Sequence, residues 1–239
     1  MVRDSEKITL LTLIRHGQAG SRLAYDDLSD VGRRQARALG EWLRETGVRL
    51  DAIFVGGLER QKKTALEMIA SRDGASPELV VDPRWSEFDL DAVYEGIAPM
   101  LAQEDEGFRS EYEQLQVEMK DPASSAHRAW RSCDVTVVRA WIDNKFEFAG
   151  ESFAAFGARV RDALGAMPRD EHVAVVTSAT PIALCISFAL DLAPRRVMQL
   201  AGSVRNTAFT EMTLRPDGAR LVSFNNVPHL LDPGLHTLR

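Results

Sequence analysis

Cysteine is nearly absent: Cys133 and Cys185 are the two in 239 residues, far apart and each beside apolar neighbours. Thiols placed so cannot form a disulfide framework and lack the paired spacing of a zinc site, so both read as packed thiols. Long apolar runs are missing too. No stretch approaches the roughly 18 consecutive apolar residues of a membrane-spanning helix. The charged start Met1-Val2-Arg3-Asp4-Ser5-Glu6-Lys7 leads into an apolar run too short and too threonine-rich for a secretion signal, so a cytoplasmic protein with no membrane partner is the expectation. Nor is basic charge in excess. With 29 Lys and Arg against 35 Asp and Glu, a formal charge of -6, the chain lacks the clustered basic face that nucleic-acid binding needs for counterion release. Any anionic ligand must therefore be gripped by a few local arginines. Repeats, low-complexity tracts and Gly/Pro/Ser-rich linkers are also missing. At 45% hydrophobic content the chain reads as one domain over 1–239, large enough to carry an insertion.

What is present starts with an apolar run from Ile8 to Ile14 that stops at Arg15-His16-Gly17. Such a run reads as a strand buried on both faces, as in a parallel sheet flanked by helices. Gly17 lets the backbone turn, which leaves Arg15 and His16 at the carboxyl end of the strand, where open α/β sheets place their ligands. A cation beside an imidazole at that point suits a phosphate ester. Taken alone, the tripeptide also fits a hydrogen-bonded structural histidine.

Leu28-Ser29-Asp30-Val31-Gly32 opens a helix, with Ser29 or Asp30 as its cap. Val31, Ala38, Leu39 and Trp42 fall on one face of it, and Arg33, Arg34, Arg37, Glu41, Arg44 and Glu45 populate the other, which reads as solvated. A second strand at 51–55 ends in Gly56-Gly57. The helix that follows, from 58 to about 70, carries Leu58, Ala65, Leu66 and Ile69 as its apolar stripe. Arg60 lies in its first turn and off that stripe, where the helix dipole disfavours a cation unless an anion is near; a bound phosphate would supply one, and so would Glu59. A third strand at 79–81 leads to Glu87, set between Trp85 and Phe88. An apolar surround tends to raise a carboxyl pKa and keep it protonated for general-acid work, although a loop glutamate near two aromatics is equally a surface residue.

From about 90 to 144 the strand signals vanish and helix formers dominate, which reads as a helical insertion covering one side of the site. Trp130, Cys133, Val137 and Trp141 recur there at helical spacing and read as packing, while Arg128 or Arg131 could reach a substrate's distal group. Phe153, Phe156, Val160 and Leu164 mark another amphipathic helix. The buried run His172-Val173-Ala174-Val175-Val176-Thr177 then leads into Ser178-Ala179-Thr180-Pro181, where Pro181 suits the first helical position and a hydroxyl before it can cap. The free N–H groups of that turn form a second anion site, beside the first if the two strands are neighbours. Runs at 208–214 and 219–224 form a β-hairpin, and 225–230 is a loop. These elements predict a three-layer αβα fold, with a mostly parallel, mixed sheet flanked by helices. An exposed sheet edge or the tryptophan helix could pair two copies into a homodimer.

Several ordered segments resemble the histidine phosphatases, the superfamily that includes cofactor-dependent phosphoglycerate mutases and acid phosphatases. Leu13-Ile14-Arg15-His16-Gly17 matches its signature strand and tripeptide, and Leu28-Ser29-Asp30-Val31-Gly32-Arg33-Arg34-Gln35-Ala36 is similar to its first helix start. Leu58-Glu59-Arg60 with Thr64-Ala65, Trp85-Ser86-Glu87, Gly150-Glu151-Ser152-Phe153, and Asn206-Thr207 with Asn225 and His229-Leu230 resemble later family segments. The resemblance implies His16 as nucleophile, Glu87 as general acid/base, and Arg15, Arg60, Ser178 and Ala179 as phosphate-binding residues. It implies a phosphohistidine intermediate and a small phosphorylated metabolite or inorganic phosphate as ligand, with no metal and no cofactor. One departure stands out: Val175-Val176-Thr177-Ser178-Ala179-Thr180 has Ser178 where the family pattern usually places a second pocket histidine. His172 lies at the far end of that strand, and His127, His229 and His236 fall in the insertion or the tail. The main reading is a phosphomonoester hydrolase. A phosphate-ester-binding protein of weak or no turnover is the alternative, and a phosphoglycerate mutase comes third, since Gln18-Ala19-Gly20-Ser21 does not match the Ser/Thr-x-x-Asn of mutases.

Overall fold

The computed structural model describes residues 8–20, 26–72, 77–121, 124 and 131–238. Arg128, His127 and Trp130 lie outside them. The described residues fall into two compact units, one drawn from Met1–Gly20, Ala24–Glu87 and Arg159–Arg239, the other from Phe88–Ala158.

The first unit is built on a six-stranded mixed sheet of order β3-β2-β4-β1-β5-β6. Its strands are β1 (Thr9–Arg15), β2 (Ala52–Val55), β3 (Leu79–Val81), β4 (His172–Thr177), β5 (Phe209–Arg215) and β6 (Gly218–Asn226). β1 to β4 run parallel, and the predicted hairpin β5–β6 adds antiparallel pairing on the β1 side. Flanked by helices, this is the three-layer α/β arrangement expected. β1 and β4 are adjacent and in register, with Arg15 opposite Thr177, so both expected anion sites open on one edge of the sheet. Leu13, Ile14, Val55, Val175 and Val176 are wholly buried along these strands, each contributing roughly 1.5–3 kcal/mol by leaving water.

Helix α1 (Asp30–Glu45) starts where expected: the Ser29 hydroxyl accepts the Gly32 N–H at 3.0 Å. Its inward face differs from the predicted one, being centred on Gly32, Gln35, Ala36, Leu39 and Leu43 rather than on Val31, Ala38 and Trp42. Two contacts rotate it. The buried amide of Gln35 accepts the Gln18 N–H and donates to the Leu235 carbonyl and the Thr237 hydroxyl. Gly32 meets the exit of β1 backbone to backbone, where a Cβ would lie 2.2 Å from the Gln18 oxygen.

Helix α2 (Glu59–Ala70) is also turned: Arg60, Gln61, Thr64, Ala65 and Met68 are buried, and Leu66 is exposed. Periodicity assigns apolar residues inward, but here hydrogen-bonding partners from distant segments make the polar face the buried one. Helix α6 (Phe153–Gly165) buries Phe156, Val160 and Leu164 as expected. Helix α7 (Ala179–Leu190) begins two residues before Pro181, so the proline is its third residue, not its first. Ser178 occupies the cap position without a side-chain capping bond, because its hydroxyl serves the site described below. Helix α8 (Pro194–Ala201) precedes the hairpin.

The second unit holds α3 (Leu90–Glu104), α4 (Glu106–Glu118) and α5 (Ser132–Ile142). Asp105 closes α3 and caps α4, its carboxylate accepting the Phe108 N–H at 3.0 Å. Trp141 packs among Phe88, Phe153 and Phe156, with its indole N–H on the Glu151 carbonyl. Arg131 pairs with Glu118 within this unit. Burial pushes both thiols up, that of Cys133 to about 11, as suits packed cysteines. Among the described residues no helix is long and apolar enough to cross a membrane.

Candidate active site

The site forms where β1 and β4 end. The His16 N–H donates to the Thr177 carbonyl at 2.8 Å, and the Asn206 amide donates to the His16 carbonyl at 3.1 Å, so the backbone of the imidazole is clamped from two sides. The Gly17 N–H donates to the Thr64 hydroxyl at 2.9 Å, which ties the turn after β1 to α2. Asn206 is itself held by Thr237, and Thr207, at φ +54°, donates its N–H to the Arg15 carbonyl.

The His16 ring is almost fully buried. Its Nδ1 lies 2.8 Å from the Gly17 carbonyl, an oxygen that can only accept, so Nδ1 carries the proton. Nε2 then holds the lone pair, and it receives the Nε–H of Arg60 at 3.3 Å. Burial, together with the Arg60 and then the Arg15 guanidinium, holds the pKa of His16 well below the ordinary value of 6.5, against the opposing pull of the Gly17 carbonyl. The ring is therefore neutral through the physiological range. A long-range ¹H–¹⁵N NMR titration is expected to show an unprotonated Nε2 from pH 8 down to pH 6; a half-protonation point at or above 6.5 would contradict the arrangement.

Arg60 is buried in the first turn of α2 and reaches both His16 and Asp26, whose carboxylate lies 3.1 Å from Nη1. Arg15 is buried as well. Its Nη1 donates to the carbonyls of Val204 and Leu238, so that part of the guanidinium faces the main chain of the tail.

From β4, the buried Ser178 hydroxyl accepts the Gln61 amide at 2.8 Å, and Gln61 also reaches the Trp85 carbonyl. The Thr177 hydroxyl donates to that same carbonyl, which fixes the segment leading to Glu87. The Glu87 carboxylate accepts the Thr180 N–H at 3.2 Å, at the start of α7. Arg159 holds the carbonyls of Arg84 and Ser86. Ala179 is the first residue of α7, whose leading amides have no intrahelical acceptor.

His16, Arg15, Arg60, Glu87, Ser178 and Ala179 thus belong to one hydrogen-bonded edge of the sheet, within a single unit. Thr64 and Asn206, which lie in segments resembling the family, complete it together with Gln61 and Asp26, which the sequence does not single out. Gln61 lies one position beyond Arg60 and Thr64 four, and this polar spacing is the local signal for Gln61. His172 pairs with Thr12 at the opposite end of β4. His229 lies behind the site, its ring on the Thr207 hydroxyl and pushed down to about 4 by burial. His236 bonds the Leu230 carbonyl. None of the described histidines substitutes for an imidazole at Ser178.

A neutral, oriented imidazole with two arginines near it thus stands at the carboxyl edge of the sheet. The chain belongs to the histidine phosphatase superfamily (branch 1), whose profile matches residues 11–227. It is 34% identical over 84 residues to the 2,3-bisphosphoglycerate-dependent phosphoglycerate mutase of Bartonella henselae, a stretch covering 32% of this chain and 41% of that protein. A match of 34% over 77 residues to the same-named mutase of Bartonella tribocorum covers 29% of this chain and 37% of that one. The chain thus spans less than half the length of these curated relatives. Similar solved structures include Bacillus stearothermophilus YhfR (TM-score 0.65, 17% identity, 93% of this chain and 99% of that one). Two others are phosphoglycerate mutase from Bacillus anthracis (0.61, 15%, 94% and 96%) and the mycobacterial glucosyl-3-phosphoglycerate phosphatase (0.60, 22%, 91% and 99%). At these identities the likeness is one of fold. By their names, both curated relatives are mutases, and of the solved structures one is a mutase and another a phosphatase.

Proposed function

We propose that the protein hydrolyses phosphate monoesters of small metabolites through a phosphohistidine on His16. The observation that carries this is the ring itself: Nδ1 is tied to Gly17, and Nε2 keeps its lone pair against a buried guanidinium. When a dianionic ester enters, the Arg60 Nε–H passes from the imidazole to a phosphoryl oxygen and unmasks the nucleophile. Nε2 attacks phosphorus in line with the ester oxygen, the N–P bond forms and the P–O bond breaks. Glu87 protonates the departing alkoxide. It then takes a proton from water, which attacks phosphorus, breaks the N–P bond and releases inorganic phosphate. Arg60 and Arg15 balance the charge spread over the equatorial oxygens, and the Ala179 amide adds a donor at the helix start.

Ser178 stands in for a charged donor. With Gln61 donating to its oxygen, its own proton is available to a phosphoryl oxygen. A neutral hydroxyl in place of an imidazolium forgoes very roughly 1.5–3 kcal/mol, so turnover ten- to a few hundred-fold below that of a two-histidine pocket is the expectation. The partial match to mutases keeps one second reading in view, in which the N–P bond breaks by transfer of the phosphoryl group to a hydroxyl of a monophosphoglycerate instead of to water.

Rapid quenching with an aryl phosphate tests the proposal. An alkali-stable, acid-labile phosphoryl group on the His16 peptide, with phosphate released to water, is expected. Phosphate bound without a phosphoenzyme would favour the binding-protein alternative, and transfer to 3-phosphoglycerate from 2,3-bisphosphoglycerate the mutase.

A further inference from the structure

One anion already occupies part of the site, and it is the protein's own. The carboxylate of Asp26 spans the start of α2, one oxygen 3.1 Å from the Arg60 Nη1 and the other 3.2 Å from the backbone N of Glu59. A guanidinium and a helix N-terminal amide are the two kinds of donor that hold phosphoryl oxygens. The same guanidinium donates its Nε–H to His16, so Arg60 bridges the carboxylate and the imidazole. The other acids of this stretch have cations of their own: Asp27 pairs with Arg33 and Lys63, and Glu59 with Lys62. Asp26 alone among these three is aimed at the site arginine. The pair is also lopsided. The Arg60 side chain is 9% exposed and that of Asp26 is 51% exposed, so the cation is fixed while the carboxylate can turn out into water.

Resting on the proposed role of Arg60 as a phosphate ligand, we infer that Asp26 is a positioning residue acting through Arg60, a place-holding anion that competes with phosphate for this arginine. Between turnovers it keeps the guanidinium charge-balanced and aimed at His16. An incoming dianionic phosphoryl group displaces it, because two negative charges shared with two guanidiniums outweigh one half-solvated carboxylate. Its return competes with inorganic phosphate after hydrolysis and so helps to clear the product.

The test is phosphate binding by titration calorimetry to wild type, Asp26→Asn, Arg60→Ala and the double variant, each checked for an unchanged melting profile. Asparagine keeps the shape of the side chain and can still accept the Glu59 N–H, but it removes the competing charge. Asp26→Asn is expected to tighten inorganic phosphate by roughly threefold to tenfold. In the Arg60→Ala background the same change is expected to do nothing, since no guanidinium remains to compete for. Unchanged or weaker phosphate binding in Asp26→Asn overturns the inference and makes Asp26 a scaffold for Arg60. Equal tightening in both backgrounds overturns it as well, because that is general repulsion rather than competition. If Arg60→Ala alone leaves phosphate binding intact, the reading of Arg60 as a phosphate ligand falls, and the inference with it.

Discussion

Replacing His16 by alanine is expected to lower phosphate release from aryl and alkyl phosphates by on the order of 10⁴-fold or more while leaving phosphate binding in place. The loss is large because the nucleophilic lone pair belongs to the His16 ring, held by Gly17 on one side and facing Arg60 on the other. Binding survives because Arg15, Arg60 and the α7 amides do not depend on the ring. Nor does the local backbone depend on it, since its bonds to Thr177 and Asn206 are made by main-chain atoms of residue 16. Steady-state release and phosphate titration on the same preparation check both halves. Release within tenfold of wild type would end the covalent mechanism.

Arg60→Ala carries the second largest effect. Removing a preorganised cation from a phosphoryl-transfer site typically costs about 10²–10³-fold in turnover, and here the same residue also aligns His16 Nε2. A rise in KM should accompany the fall in kcat, because the ground-state dianion loses the same contact. Stability should change little, since the lost ion pair has a half-exposed partner, worth about 1 kcal/mol or less. Lysine at this position should recover only part of the loss, because a compact ammonium lacks the rigid, planar fork of donors with which the guanidinium reaches His16 and Asp26 at once. Activity within threefold of wild type in the alanine variant would place the phosphate elsewhere.

The apolar run of β1 and its break at Arg15-His16-Gly17, the Ser29 cap, the buried strand before Ser178 and the terminal hairpin are all local facts, and each was legible. The inward faces of α1 and α2 were not. Gln35 turns inward for a partner about 200 residues away, and Gln61 for one 117 residues away. Periodicity counts apolar side chains and is blind to polar ones that find distant acceptors. For the same reason the pattern around Pro181 gives no sign that the Ser178 hydroxyl goes to Gln61, or that the Glu87 carboxylate accepts the Thr180 N–H.

The order of residues decides by itself where each strand ends and which side chain stands at that end, because chain stiffness, turn residues and capping act over a few positions. Only the tertiary structure decided that the ends of β1 and β4, the first turn of α2 and the loop carrying Glu87 share one hydrogen-bonded edge. It also decided that Asp26 rests on Arg60. Charges and lone pairs act over a few ångströms of space, and distance along the chain carries no record of which of them will meet.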